Sequence, residues 1–339
     1  MNKTKRLFTF MLIPVMTMFT VACGATGGSQ ATQSNATSSG TTSKLTLQNA
    51  VVGFSQSQSE INPFRAVETQ SIKSEAQKLG VKKLFVTNAQ GDVSKQVSDV
   101  EDMIAQGVNI LIITPESFNG LTPALNAAKS HHIPVFLIDS MSSGKAGVDY
   151  VTFLGSDFYK QAQRAADGLV QATGGNANIA VLTGPSGDFV TTQRTNGFTD
   201  YMKKHPGMKI VATQPANFIQ SKAQDVMQQM LLANPNINAV YAENDTMALG
   251  AISAIQAAGK TPGKDVKIVS IDGIKQVVKD VVSGQVYADV ETNPRFGPLV
   301  FDAIKKYLAG ESLPAQIVSD DQLYTKANAQ KALDDGQAY

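Results

Sequence analysis

The sequence predicts an α/β protein built from two doubly wound parallel-sheet lobes. Two observations carry that prediction. From residue 49 onward ten short β-branched runs alternate with helical stretches, and most of the runs are apolar throughout rather than at every second position. Near-continuous apolar strands separated by helices belong to parallel sheets covered on both faces. Ten are too many for one small sheet and too irregularly spaced for a closed eight-fold barrel. A chain of 339 residues has room for two domains and can bury their cores without disulfides.

The first residues have a different texture. Lys3, Lys5 and Arg6 precede an uncharged apolar run over 7–21, short for a membrane span and right for an export signal. The single cysteine, Cys23, closes that run in Thr20-Val21-Ala22-Cys23, where it can form no internal disulfide. Its place points to a bacterial lipoprotein signal in which Cys23 carries the lipid, although Thr20 stands where leucine is usual. The plainer alternative is an ordinary signal peptide with an incidental cysteine. Residues 24–44, GATGGSQATQSNATSSGTTSK, hold almost nothing to bury and read as a hydrated tether. The expected location is therefore extracytoplasmic, lipid-anchored to the cell membrane.

In the body the strands are expected at AVVGFS (50–55), KLFVTN (83–88), NILIIT (109–114), IPVFLID (133–139) and YVTFLGS (150–156). They recur at NIAVLTG (178–184), KIVATQ (209–214), INAVYAEN (237–244), VKIVSIDG (266–273) and YADVET (287–292). Helices are expected over 93–106, 157–171, 221–233 and 246–258. In the last of these Met247, Ala251, Ala254, Ile255 and Ala258 recur at helical spacing.

Ligands of doubly wound sheets collect outside the carboxyl ends of the strands, and those ends are polar here. Thr114, Asp139, Asn244 with Asp245, Asp272, and Glu291 with Thr292 all stand there. Asp245, directly before Thr246, is expected to cap the next helix; Asp272 has capping as its bland alternative. Asp139 leads into the loop SMSSGKAGV, so capping explains it less well. The stretch SEINPFRAVE (59–68) sets Phe64 and Arg65 side by side where a strand hands over to a helix. A core needs no arginine there, and a solvated loop needs no phenylalanine.

These segments resemble the type I periplasmic sugar-binding proteins of ABC importers, in the branch that holds the ribose- and galactofuranose-binding proteins. The resemblance rests on VGFSQ (52–56), NPF (62–64), SEAQKLG (74–80), IAQGVNILIITP (104–115), IPVFLID (133–139) and RTNGF (194–198). It continues through ENDTMALGAISAIQAAG (243–259), GKDVKIVSIDG (263–273) and VETNP (290–294), in order and at the right separations. It implies two lobes joined by three crossover segments, near residues 155–157, 292–293 and 320–322. The N-terminal lobe would hold 45–156 and 293–321, and the C-terminal lobe 157–292 and 322–339.

The resemblance also implies a site. Phe64 would stack on one face of a sugar ring, with Asn62 and Arg65 beside it and Phe218 on the other face. A sugar offers an apolar C–H face to an aromatic plane and a rim of hydroxyls to charged or amide partners. Asp139, Arg194, Asn244 and Asp272 would bind that rim, with Thr114 and Ser156 at matching contact positions. Adjacent strand residues point to opposite faces, so Glu291 or Thr292 would reach the ligand, and Glu291 is favoured. One departure concerns Ser140: many members have arginine after the aspartate, so Arg65 is left to supply a guanidinium from another direction.

The function implied is capture of a monosaccharide, pentose or hexose, and its delivery to an ABC permease with its ATPase. The protein is expected to act as a monomer and to need no cofactor or metal. The alternative is a receptor module presenting the same ligand to a chemoreceptor or sensor kinase. Asp139 and Asp272 could be imagined as a glycosidase pair. The chain carries no GxSxG elbow, no metal-ligand cluster and no phosphate-binding glycine fingerprint, so an enzyme is not expected. His131, His132 and His205 sit beside prolines in loops and read as surface residues, and GPSGD (184–188) reads as a plain connection. Of 29 lysines and arginines three lie in the first 22 residues and no acid does, which leaves 26 bases against 28 acids. A body near net charge −2 with no basic face is not a nucleic-acid binder.

Overall fold

The computed structural model describes residues 44–339; Cys23 and the segments around it lie outside the described residues. Twelve strands follow in chain order there. The first five are β1 (Val51–Gln56), β2 (Lys83–Asn88), β3 (Ile110–Ile113), β4 (Val135–Ile138) and β5 (Thr152–Gly155). Next come β6 (Ala177–Thr183), β7 (Met208–Pro215), β8 (Ala239–Ala242), β9 (Lys267–Asp272) and β10 (Ala288–Glu291). β11 (Gln316–Val318) and β12 (Leu323–Thr325) complete the set.

They form two six-stranded sheets, ordered β11-β5-β4-β3-β1-β2 and β12-β10-β9-β8-β6-β7. Every pairing is parallel except β10 with β12. Each sheet has an apolar cluster on both faces, which is why β3 (ILII) and β4 (VFLI) are buried at every residue. β11 and β12 were not expected. They are three residues long, and QIV and LYT carry too little apolar pattern to be read as strands.

The helices are α1 (Pro63–Lys78), α2 (Val93–Ala105), α3 (Thr122–Ser130), α4 (Phe158–Thr173) and α5 (Phe189–Met202). They continue as α6 (Gln220–Ala233), α7 (Asp245–Ala257), α8 (Lys275–Ser283), α9 (Phe296–Ala309) and α10 (Ala329–Asp334). Caps set several starts. Asn62 accepts from the Phe64 amide at 3.0 Å and Pro63 opens the first turn, so the backbone aims α1 just where Phe64 and Arg65 begin it. Asn244, not Asp245, caps α7, through a 3.0 Å bond from the Met247 amide. Asp245 turns inward instead, accepting from the amides of Gly273 (2.9 Å) and Ile274 (2.7 Å). Asp272 caps no helix; Ile274 precedes α8.

The chain passes between the sheets three times: from β5 to α4, from β10 to α9, and from β11 to β12. After the second passage α9 returns to lie against α1. A side chain at Gly297 would meet the Ser71 carbonyl at 2.3 Å, and the Gly297 amide donates to Ser71 Oγ at 2.9 Å. That close approach seats the helix bearing Phe64. In both sheets the strand order reverses beside the first strand, at β1 and at β6, which puts the crevice at their carboxyl ends.

Candidate functional site

A cavity of about 300 Å³ opens between the carboxyl ends of the two sheets. That is the lower end of the range for small-molecule sites, roughly 300–1,000 Å³. The first sheet's half supplies Asn62, Phe64 and Arg65 from the start of α1, with Asp139 and Ser140 after β4. The second half supplies Arg194 from α5, Phe218 from the loop before α6, and Asn244, Asp272 and Thr292 from strand ends. Residues far apart in the chain are thus brought to one hollow.

In the first half Phe64 is only 6% exposed. The Arg65 guanidinium lies 5.0 Å from its ring centroid, and the Tyr339 ring meets it edge-on at 5.9 Å. Nothing local in the sequence marked Tyr339 as a neighbour of Phe64. Arg65 Nη1 donates to Asp139 Oδ2 at 2.6 Å and to Glu68 Oε2 at 2.9 Å. The guanidinium therefore does stand beside the aspartate that Ser140 follows. Burial disfavours its charge, but Asp139 and Glu68 outweigh that and raise its pKa. Glu68 was missed. It is fully buried and also accepts from Gln56 Nε2 (2.8 Å) and Thr114 Oγ1 (3.0 Å). Its signal was available: an acid one helical turn after Arg65 shares that residue's face.

In the second half Arg194 is 3% exposed and every acceptor around it is fixed. Nη2 donates to Asp272 Oδ1 (3.0 Å), Thr292 Oγ1 (2.8 Å) and Gln161 Oε1 (3.3 Å), and Nη1 donates to the Glu243 carbonyl. The Phe158 ring lies 5.5 Å from the guanidinium. Burial raises the Asp272 pKa while Arg194 pulls it down, and the net shift is upward. Behind it Asp245 and Asp289 hydrogen-bond to each other; burial, then Asp245, drives Asp289 well above the usual carboxylate range. Asp139 (φ 60°), Phe218 (φ 59°) and Asp272 (φ 148°) all hold backbone conformations that L-residues rarely adopt. Strain at three cavity-lining positions is what a site held by its surroundings shows.

Three expected contacts do not line the cavity. Thr114 is fully buried and spends its hydroxyl on Glu68. Ser156 donates to Asp321 Oδ1 at 3.1 Å, within the passage between the halves. Glu291, the favoured member of its pair, accepts from the Gln322 amide at 3.0 Å, while Thr292 lines the cavity. Strand alternation explains the outcome: one of two neighbours faces in, and β12 provides the donor that holds Glu291 away. Among the described residues no group of three His, Cys, Asp or Glu side chains is arranged to hold a metal ion.

The buried carboxylates give the fold a pH dependence. Glu68, Glu116 and Glu243 are each pushed up to about 7, chiefly by burial. The folded chain thus binds protons more tightly than the unfolded chain, and its stability falls as pH rises toward and through 7. Exposed acids held low, such as Asp149 and Asp265, act in the opposite sense only below the ordinary carboxylate range. The melting temperature is expected to be several degrees higher at about pH 5.5 than at about pH 8. A flat or reversed profile in calorimetry would show that burial does not control these groups.

With this geometry in hand, similarity to known proteins becomes informative. The family model described as a periplasmic binding protein domain matches residues 52–312. The chain is 36% identical to a galactofuranose-binding protein of Escherichia coli over 288 residues, 84% of this chain and 90% of that protein. It is 34% identical to a ribose import binding protein of Bacillus subtilis over 267 residues, covering 78% and 84% respectively. Among solved structures, the binding protein of the arabinose ABC transporter from Shewanella sp. ANA-3, bound to α- and β-L-arabinofuranose, superposes with a TM-score of 0.80. It is 35% identical, over 84% of this chain and 95% of that one.

Proposed function

Because the chain belongs to the periplasmic binding protein family, we propose that it captures a monosaccharide between its lobes and delivers it to an ABC permease. The observation that carries this reading is the cavity itself. Phe64 and Phe218 come to it from opposite halves, with Asp139, Arg194, Asn244, Asp272 and Thr292 between them. Aromatic planes suit the C–H faces of a sugar, and fixed charges and amides suit its hydroxyls. The relatives are named for galactofuranose and ribose, and the arabinose protein holds furanose rings. A pentose or hexose, with a furanose ring favoured, is the ligand class.

Open and closed lobes exchange, and the ligand stabilises the closed form by bridging groups from both. The basic, apolar and cysteine-ended start of the chain assigns export and lipidation at Cys23, and the tether leaves the lobes close to the membrane that holds the permease. A receptor that reports a sugar would use the same cleft; relatives named for import and for an ABC transporter favour transport.

A thermal-shift screen of the purified protein against pentoses, hexoses and polyols tests the proposal, because a ligand bound only by the native state raises its melting temperature. One monosaccharide is expected to raise it and unrelated solutes to leave it unchanged. Phe64→Ala is expected to weaken that sugar by about tenfold in calorimetry. Silence from every sugar would end the monosaccharide reading, and undiminished affinity in the variant would remove Phe64 from the contact.

A further inference from the structure

Phe118 and Phe189 stack on each other from opposite lobes, with centroids 5.9 Å apart and planes 13° from parallel. We propose that this pair is a latch: two positioning residues that hold the lobes closed without touching the ligand. The proposal rests on the capture mechanism above.

Phe118 lies between β3 and α3 of the first lobe. Its carbonyl accepts from the Ser143 amide and from Ser142 Oγ, which ties it to the loop that follows Asp139. Phe189 opens α5 of the second lobe, directly after the capping Asp188. Beyond Phe118 it meets Phe153 of β5 edge-on at 6.5 Å and Phe158 at 6.2 Å, and it packs on the apolar cluster behind β3 and β4. A second-lobe ring is therefore seated on a first-lobe core, and separating the lobes uncovers both.

Neither ring lines the cavity, although Ser117, Asp188 and Val190 beside them do. Any effect of the pair on binding must pass through lobe position. A contact made only in the closed form raises the closed fraction whether or not ligand is present, and apparent affinity scales with that fraction. Glu116 of the first lobe feels the charge of Asp188 across the same mouth, a repulsion that the stacked rings offset.

The test begins without ligand, so that it is independent of which sugar binds. Small-angle X-ray scattering of wild type, Phe118→Ala, Phe189→Ala and the double variant is compared, with Phe118→Tyr and Phe189→Tyr as ring-retaining controls. Phe118 is on a loop, so its variant keeps the fold, and melting curves verify this. Each alanine variant is expected to show a larger radius of gyration than wild type, the double variant no more than the singles, and the tyrosine variants wild-type curves. D-ribose and L-arabinose are then the probes: for whichever binds, dissociation is expected to accelerate by about five- to tenfold, with association and sugar preference unchanged. Scattering from folded alanine variants that superposes on wild type overturns the latch, even if a sugar binds. Failure of both probes to bind counts against the sugar reading alone.

Discussion

Arg194→Ala is expected to lower the melting temperature by on the order of 10 °C and to abolish sugar binding. The side chain is 3% exposed and joins four acceptors from four elements: Gln161 on α4, Glu243 after β8, Asp272 at the end of β9 and Thr292 after β10. Removing it strands a buried carboxylate at Asp272, with Asp245 and Asp289 close behind. Breaking a buried ion pair from one side costs about 3–5 kcal/mol, because the remaining charge has no partner. Arg194→Lys is not expected to rescue, since one ammonium cannot span acceptors laid out for a planar fork. The double variant Arg194→Ala with Asp272→Asn separates the two effects. It removes the stranded charge, so stability is expected to return in part while binding stays lost. An Arg194→Ala protein that melts with the wild type would show that the second lobe does not depend on this buried pair.

The difference between what the sequence showed and what it hid follows from how far each signal reaches along the chain. Strands such as ILII and VFLI are legible because a parallel strand buried on both faces must be apolar at every residue. The same logic places polar strand ends at the crevice, so Asp139, Asn244 and Asp272 were found. The choice between polar neighbours is not local. Glu291 faces away because β12, 31 residues further on, brings it an amide, and Thr114 turns inward because Glu68 is there. Asn244 outcompetes Asp245 as a cap because Asp245 has two amides from another strand's loop to accept. The positive φ angles at Asp139, Phe218 and Asp272 leave no trace in composition, since none of these residues is a glycine. Tyr339 reaches Phe64 only once the chain has returned through all three passages.

Arg65→Ala is expected to cause the other large loss, roughly a hundredfold or more in sugar affinity together with a clear fall in stability. Arg65 is the cation between Glu68, which is fully buried, and Asp139, which lines the cavity. Without it two acids face each other across the first lobe's half of the site. The damage is expected to be smaller at about pH 5.5 than at about pH 8, because Glu68 already titrates at about 7 and takes a proton more readily once Arg65 is gone. Adding Glu68→Gln should restore most of the stability, since the amide keeps the hydrogen bonds and drops the charge. Ser140→Arg supplies the sharper comparison. If Arg65 stands in for the arginine that related proteins carry after this aspartate, Ser140→Arg in the Arg65→Ala background should recover part of the affinity. Recovery from Glu68→Gln but none from Ser140→Arg would mean that Arg65 serves the fold by neutralising Glu68, and that the sugar does not need a guanidinium beside Asp139.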